Sequence, residues 1–236
     1  MVIATKTSAF IQLSRKGLSP TPIALQDVVK FELTAKRQIA IVREKGFRFP
    51  TNHLNPIYQV ATELQRLVQG RIGVRISIQK NIPPQKGLGS WASASAETIV
   101  ALNKLWNLRL SEKRLLEIGK KIDPFIVEIL KIHFQGPRQP KSMWVIVVVP
   151  KLIEIDRTWA KSLEKKQKST PESIAENHFP DLVMIKEALG KAGWSPVGLS
   201  GNGPAIAGFS KKRIAIAKIP KKCQSKLEFV WIGKYL

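Results

Sequence analysis

The sequence predicts an α+β fold in two lobes, and three features predict it. Arg71–Lys80 alternates, with Ile72, Val74, Ile76 and Ile78 on one face and Gly73, Arg75, Ser77 and Gln79 on the other. That is the pattern of a half-buried antiparallel strand. Tyr58–Val68 and Ser93–Leu105 carry apolar residues at helical spacing: Tyr58, Ala61, Leu64 and Val68 in one, Ile99, Leu102 and Leu105 or Trp106 in the other. Short apolar runs then gather in the last third of the chain. Gln135-Gly136-Pro137-Arg138-Gln139-Pro140 separates these parts, so lobes over 1–140 and 141–236 are expected.

In chain order, the amino terminus MVIATKTSAFIQL lacks the continuous apolar core of a signal peptide. The strand at Arg71–Lys80 must stop at Ile82-Pro83-Pro84, because proline has no N–H for the ladder. Ser111 is placed to cap a helix carrying Leu115, Ile118 and Ile122, which Pro124 interrupts after Asp123. Val145–Val149 reads as a fully apolar strand, and Lys161–Lys168 as a solvated helix end or loop. Thr170-Pro171 offers a cap and a first-turn proline. Asp181 is expected to cap a helix through Leu189, ended by Gly190 or Gly193. Val197–Leu199, Ala205–Phe209, Arg213–Ala217 and Phe229–Ile232 read as short strands, giving antiparallel sheets.

Charge narrows the partners. Lys and Arg number 39 against 17 Asp and Glu, a net +22, in a chain of 236 residues. The excess is even, at +11 in residues 1–118 and +11 in 119–236. A basic tail on a neutral enzyme is thereby excluded. Anionic partners are favoured: nucleic acid, an acidic surface or phosphorylated small molecules. The single cysteine, Cys223, excludes an internal disulfide and fits a reducing cytoplasm. His53, His133 and His178 are too scattered for metal-ligand spacing. Met143–Pro150, the longest apolar run, is too short to span a bilayer.

Two glycine-bearing turns carry chemistry. In Pro83–Ser93 a strand, a loop with Gly87 and Gly89 and a helix start follow in order. Glycines let backbone N–H groups approach an anion, and a helix amino terminus adds a positive dipole end. Lys86 adds a charge, and Ser90 and Ser93 add hydroxyls for a phosphate or Mg²⁺. The spacing is not that of a Walker loop. The same residues also suit an ordinary strand–turn–helix connection. Leu199-Ser200-Gly201-Asn202-Gly203-Pro204 is either a hairpin turn or a second anion cradle.

Taken together, these segments resemble the GHMP small-molecule kinases. Lys80, Ile82, Pro83, Gly87, Leu88, Gly89, Ser93, Ala96, Leu102, Asn103, Leu105 and Trp106 fall in register with that superfamily's second motif, most similarly to the 4-diphosphocytidyl-2-C-methyl-D-erythritol kinases. Asn55-Pro56-Ile57-Tyr58 matches the preceding helix start. Asp123-Pro124-Phe125 sits where those kinases have Asp-Val-Pro-Phe, and Leu199–Gly208 resembles their third motif.

The resemblance implies a two-lobed α+β fold. Its amino-terminal lobe would be similar to the second domain of a small-subunit ribosomal protein, beside a smaller α+β carboxy-terminal lobe. It implies γ-phosphoryl transfer from ATP, with Mg²⁺, to an alcohol that is already phosphorylated, in non-mevalonate isoprenoid biosynthesis. It also implies roles: Asp123 as catalytic base; Pro83, Lys86, Gly87, Leu88, Gly89, Ser90, Ser93, Ser200, Gly201 and Gly203 on ATP; Ser90 and Ser93 on Mg²⁺. A monomer or homodimer in the cytoplasm is expected.

The chain also departs from that pattern. Phe10 stands where the family's Ala-Lys-Ile-Asn-Leu motif has its lysine. The family's Gly-Tyr-His segment is not recognisable in Gly17–Leu25. Ser90-Trp91-Ala92 replaces a run of glycines, and Gln85-Lys86 replaces Gly-Ala. A kinase for another alcohol, and a non-catalytic relative that binds RNA through its basic surface and aromatic rings, are therefore alternatives.

Overall fold

The structure is a computed structural model that describes residues 1–13, 20–69, 72–136, 143–151 and 171–236. The chain forms two compact units that interleave in sequence. One comprises Met1–Phe10, Leu25–Pro84 and Gly89–Arg138; the other comprises Ile11–Ala24, Gln85–Leu88 and Gln139–Leu236. A single cut at residue 140 does not describe them, because two early segments join the later unit.

The first unit holds a sheet in the order β1-β2-β4-β3, from β1 (Val2–Ile11), β2 (Thr21–Thr34), β3 (Ile39–Gly46) and β4 (Gly73–Lys80). Its helices are α1 (Pro56–Leu67), α2 (Ser90–Leu105), α3 (Glu112–Ile122) and α4 (Pro124–Gln135). Val29, Phe31, Val74, Ile76 and Ile78 of the sheet pack in one core with apolar residues of all four helices. β4 is central and more buried than a half-exposed strand, leaving only Arg75 fully exposed. It pairs antiparallel with β2 but parallel with β3. The expectation of purely antiparallel sheets is thus corrected: α1 supplies the crossover that a parallel pair requires.

Helix boundaries follow from caps. Asn55 accepts the N–H of Ile57 at 3.0 Å, so α1 opens at Pro56 rather than Tyr58. α2 opens at Ser90 rather than Ser93, because Gly89 takes a left-handed φ of 60° and turns the chain earlier. Pro124 interrupts α3 but starts α4, where its missing N–H is harmless. Asn103 holds the following loop, its side-chain Oδ1 accepting the N–H of Leu110 at 3.0 Å.

The second unit has an antiparallel sheet in the order β6-β7-β5-β8, from β5 (Trp144–Pro150), β6 (Val197–Leu199), β7 (Ile206–Ser210) and β8 (Leu227–Lys234). Its helices are α5 (Pro171–His178), α6 (Pro180–Lys191) and the short α7 (Lys221–Gln224). Ile146, Val148 and Ile206 pack with Leu182, Ile185 and Leu189 of α6 and with Trp194.

Two expectations fail here. Arg213–Ala217 is not a strand; Ile214 alone is buried, and a 3-10 turn follows at Ile216–Lys218. Asp181 does not cap α6, which starts two residues earlier, at Pro180 after Phe179; instead both its oxygens accept from Lys226 at 2.8 Å. Lys161–Lys168, Thr170 and Pro137–Pro140 lie outside the described residues. Among the described residues no helix is long and apolar enough to cross a membrane.

Candidate phosphate-binding site

Within the second unit the two glycine turns meet. Ser200 Oγ donates to the carbonyl of Gly87 at 2.9 Å, and Ala205 N–H donates to that of Lys86 at 3.1 Å. Gly201 N–H reaches back to the carbonyl of Gln12 at 2.8 Å. Gly87 has a φ of +78°, and a Cβ there would lie 2.1 Å from the Ser200 carbonyl oxygen and 2.7 Å from Gly203 N. Only glycine fits so close a backbone approach. The hairpin turn expected at Leu199–Pro204 is present, closed by Ser200 N–H to the Ala205 carbonyl at 2.8 Å. Lys86 is not a free charge, since its ammonium lies 3.7 Å from Glu228.

In the first unit, the start of α2 has the form of an anion site. Gly89 is its N-cap, no side chain caps the helix, and no acidic residue occupies the first turn. The first N–H groups therefore lack intrahelical acceptors and stand at the positive end of the dipole. This donor set fits a phosphate. Pro83 and Leu88 are buried and frame the loop by packing.

Beside that helix start lies a charged cluster that sequence reasoning missed. Lys80, 1% exposed, donates its ammonium to Asp27 Oδ2 and to Ser90 Oγ. Ser90 Oγ in turn donates to Asp27 Oδ2 at 3.1 Å. Asp27 Oδ1 accepts the N–H groups of Asn81 at 2.7 Å and Ile82 at 2.8 Å. Burial pushes the Lys80 ammonium below its ordinary pKa, while Asp27 pulls it back up. The available signal was the alternation Ile23, Leu25, Asp27, Val29, Phe31, which places a carboxylate on the buried face of β2.

Around Gly89 itself the helix start is apolar. A Cβ at Gly89 would lie 2.9 Å from the ring of Phe125 and 3.2 Å from Phe10 Cβ, so both aromatic residues abut this glycine. Phe10 is 5% exposed and belongs to the core. Asp123, two residues before Phe125, is exposed; its Oδ1 accepts the Phe125 N–H at 2.8 Å and caps α4. Trp91 packs edge-on against Phe49 at 5.6 Å between centroids, with the Lys80 ammonium 5.0 Å from its ring centroid.

Residues 55–127 match the GHMP kinases N terminal domain. The 4-diphosphocytidyl-2-C-methyl-D-erythritol kinase of Pediococcus pentosaceus is 31% identical over 228 residues, covering 81% of this chain and 80% of that protein. The chain belongs to the GHMP kinase family. The correspondingly named kinase of Shouchella clausii is 29% identical over 238 residues, covering 84% and 78%. Among solved structures, homoserine kinase from Cytophaga hutchinsonii superposes with a TM-score of 0.73 at 17% identity, covering 98% of this chain and 94% of that one. A 4-(cytidine 5'-diphospho)-2C-methyl-D-erythritol kinase superposes at 0.67 with 16% identity, covering 100% and 99%. These likenesses show the fold.

For this GHMP kinase, the sequence-level departures now have positions. Phe10 does stand beside the loop's last glycine and the α4 start, but as a core residue. Lys80, a buried cation of the same unit, is committed to Asp27 and Ser90 and so does not replace the family's lysine. Trp91 packs with the core of its own unit rather than standing free. Among the described residues no group of three His, Cys, Asp or Glu could hold a metal ion.

Proposed function

We propose that this GHMP kinase transfers the γ-phosphoryl group of ATP to the hydroxyl of 4-diphosphocytidyl-2-C-methyl-D-erythritol, a step of isoprenoid biosynthesis. The relatives that carry this activity in their names support the acceptor. One structural observation carries the nucleotide half: Gly87 lies against Ser200 and Gly203 with no room for a Cβ, immediately before a helix start that no side chain caps.

Phosphoryl transfer depends on positioning and on neutralising charge. N–H groups of Gly89 and of the first turn of α2 would hold phosphate oxygens of ATP, and within the second unit the Ser200–Gly203 turn packs against Gly87. Magnesium would arrive with ATP and neutralise phosphate charge. Ser93, buried in the first turn of α2, is the hydroxyl that suits it. Ser90 does not suit it, because an ammonium already donates to its oxygen, which disfavours a second cation. Asp123 is the candidate base: capping fixes one carboxylate oxygen, and the other would accept the acceptor's proton.

A coupled ADP-release assay with Mg·ATP and this acceptor tests the proposal. Acceptor-dependent ADP release is expected. Nucleotide binding without turnover on this alcohol would pass the activity to another alcohol, and absence of nucleotide binding would overturn the kinase reading.

A further inference from the structure

We propose that Asp27 is a positioning residue that clamps both ends of the phosphate loop through one carboxylate, so that the loop is shaped before nucleotide arrives. The proposal rests on the kinase reading above and concerns how this chain holds its own loop.

The argument starts from register. Val28 of β2 pairs with Gln79 of β4, so the next rung sets Asp27 opposite Lys80. Both residues share the face of Val29, Ile76 and Ile78, and both are buried, at 0% and 1% exposure. Charges in such a place lose their hydration and need partners in full. Asp27 finds four. Two are the N–H groups of Asn81 and Ile82, the last residues before Pro83. The other two are the Lys80 ammonium and the hydroxyl of Ser90, the first residue of α2. Pro83–Gly89 therefore leaves the sheet and enters the helix on the same carboxylate.

Neighbouring contacts remove the remaining slack. The Lys80 carbonyl accepts Phe47 N–H at 2.9 Å, and Asn81 Nδ2 donates to the Gln26 carbonyl at 2.9 Å. An apolar pair at positions 27 and 80 could pack as tightly, and buried ion pairs are often no more stabilising than such packing. It could not bond two backbone N–H groups and a hydroxyl that flank one loop. What the carboxylate adds is geometry, and a loop fixed in advance loses less freedom on binding.

The test uses the full chain and two variants. Ser90→Ala keeps the Asp27–Lys80 pair and the backbone bonds, and so cuts only the helix end. Asp27→Asn weakens both ends. In the apo protein, amide exchange at Ser93 should accelerate about tenfold in Ser90→Ala while α3 amides stay unchanged. Asp27→Asn should accelerate Ile82 and Ser93 together. The KM for ATP should rise about tenfold in Ser90→Ala, more than kcat falls, with the Mg²⁺ activation curve unmoved at saturating ATP.

Unchanged exchange at both loop ends, or acceleration shared equally by α3, overturns the clamp. So does a Mg²⁺ curve shifted in Ser90→Ala with exchange unchanged, which would make Ser90 a metal ligand. Calorimetric titration of the unmodified protein with Mg·ATP reads the kinase proposal separately. If nucleotide does not bind, that proposal fails, and the exchange arm still decides the clamp.

Discussion

The first turn of α2 is built differently on its two sides. On one side Lys80, Asp27 and Ser90 form a closed, buried set in which every charge is matched. On the other, Phe10 and Phe125 lie against Gly89, and the exposed Asp123 makes no ion pair among the described residues. The charged side is the proposed support of the loop; on the apolar side Phe10 stands where the family's first motif has its lysine. A buried lysine near a site is therefore not an available one. Lys80 cannot serve Asp123 without abandoning Asp27, and stripping a buried carboxylate of its partner is costly. Nucleotide binding and turnover should then respond separately to substitution.

The largest effect is expected at Asp123. Asn caps a helix as well as Asp does, so Asp123→Asn should leave urea stability unchanged. If the carboxylate accepts the acceptor's proton, kcat should fall by roughly 10²–10⁴ with nucleotide affinity retained. Near-normal turnover would reduce Asp123 to a cap and leave the apolar side without a catalytic group.

Next is Lys80→Met, which leaves Asp27 charged, buried and short of a partner. A loss of about 3–5 kcal/mol in unfolding free energy is expected. Lys80→Met with Asp27→Asn in one chain should recover part of that loss, because the uncompensated charge is gone. No recovery would mean that Lys80 contributes through packing rather than through the pair.

Gly87→Ala probes the second unit's share of the loop. Its φ of +78° and the Ser200 carbonyl 2.1 Å from a Cβ leave no strain-free arrangement. Strain of this kind is worth about 1–3 kcal/mol, and it should appear in Mg·ATP affinity as well as in stability. A change in stability alone would mark the Ser200–Ala205 turn as a hairpin that only borders the site.

Much of this was legible in the sequence, for identifiable reasons. The central strand, α1, α2 and α3 announce themselves by period and cap. The two glycine turns are legible because spacing and residue type together demand close backbone approach. β1, β2 and β3 are not legible as strands: Ile23–Phe31 keeps a period of two, but Asp27 and flanking charges such as Lys30 and Glu32 dilute its apolar signal. The clamp was invisible because it joins residues 27, 80 and 90, and only strand pairing brings them together. Lys80 matches a motif, yet nothing local says whether a lysine faces solvent or core. Asp181 fails for the opposite reason: a good local cap signal loses to Pro180, which starts the helix two residues sooner.

The smallest expected effect concerns how α2 is held at its far side. His133 of α4 lies 3.2 Å from Glu97 of α2, and that hydrogen bond raises the imidazole pKa above its ordinary 6.5, against the effect of burial. A raised folded-state pKa makes the contribution complete below 6.5 and removes it as pH climbs through the folded value. His133 is 39% exposed, so solvent screens the pair and about 0.5 kcal/mol or less is at stake. Many groups titrate over the same range, which makes the native profile alone uninformative. The difference between native protein and Glu97→Gln isolates the pair: the native chain should be the more stable near about pH 5.5, and the gap should close by about pH 8.5. A gap independent of pH would assign Glu97 a role that does not involve the imidazolium, and α2 would then owe its far-side placement to the apolar contacts with α4 alone.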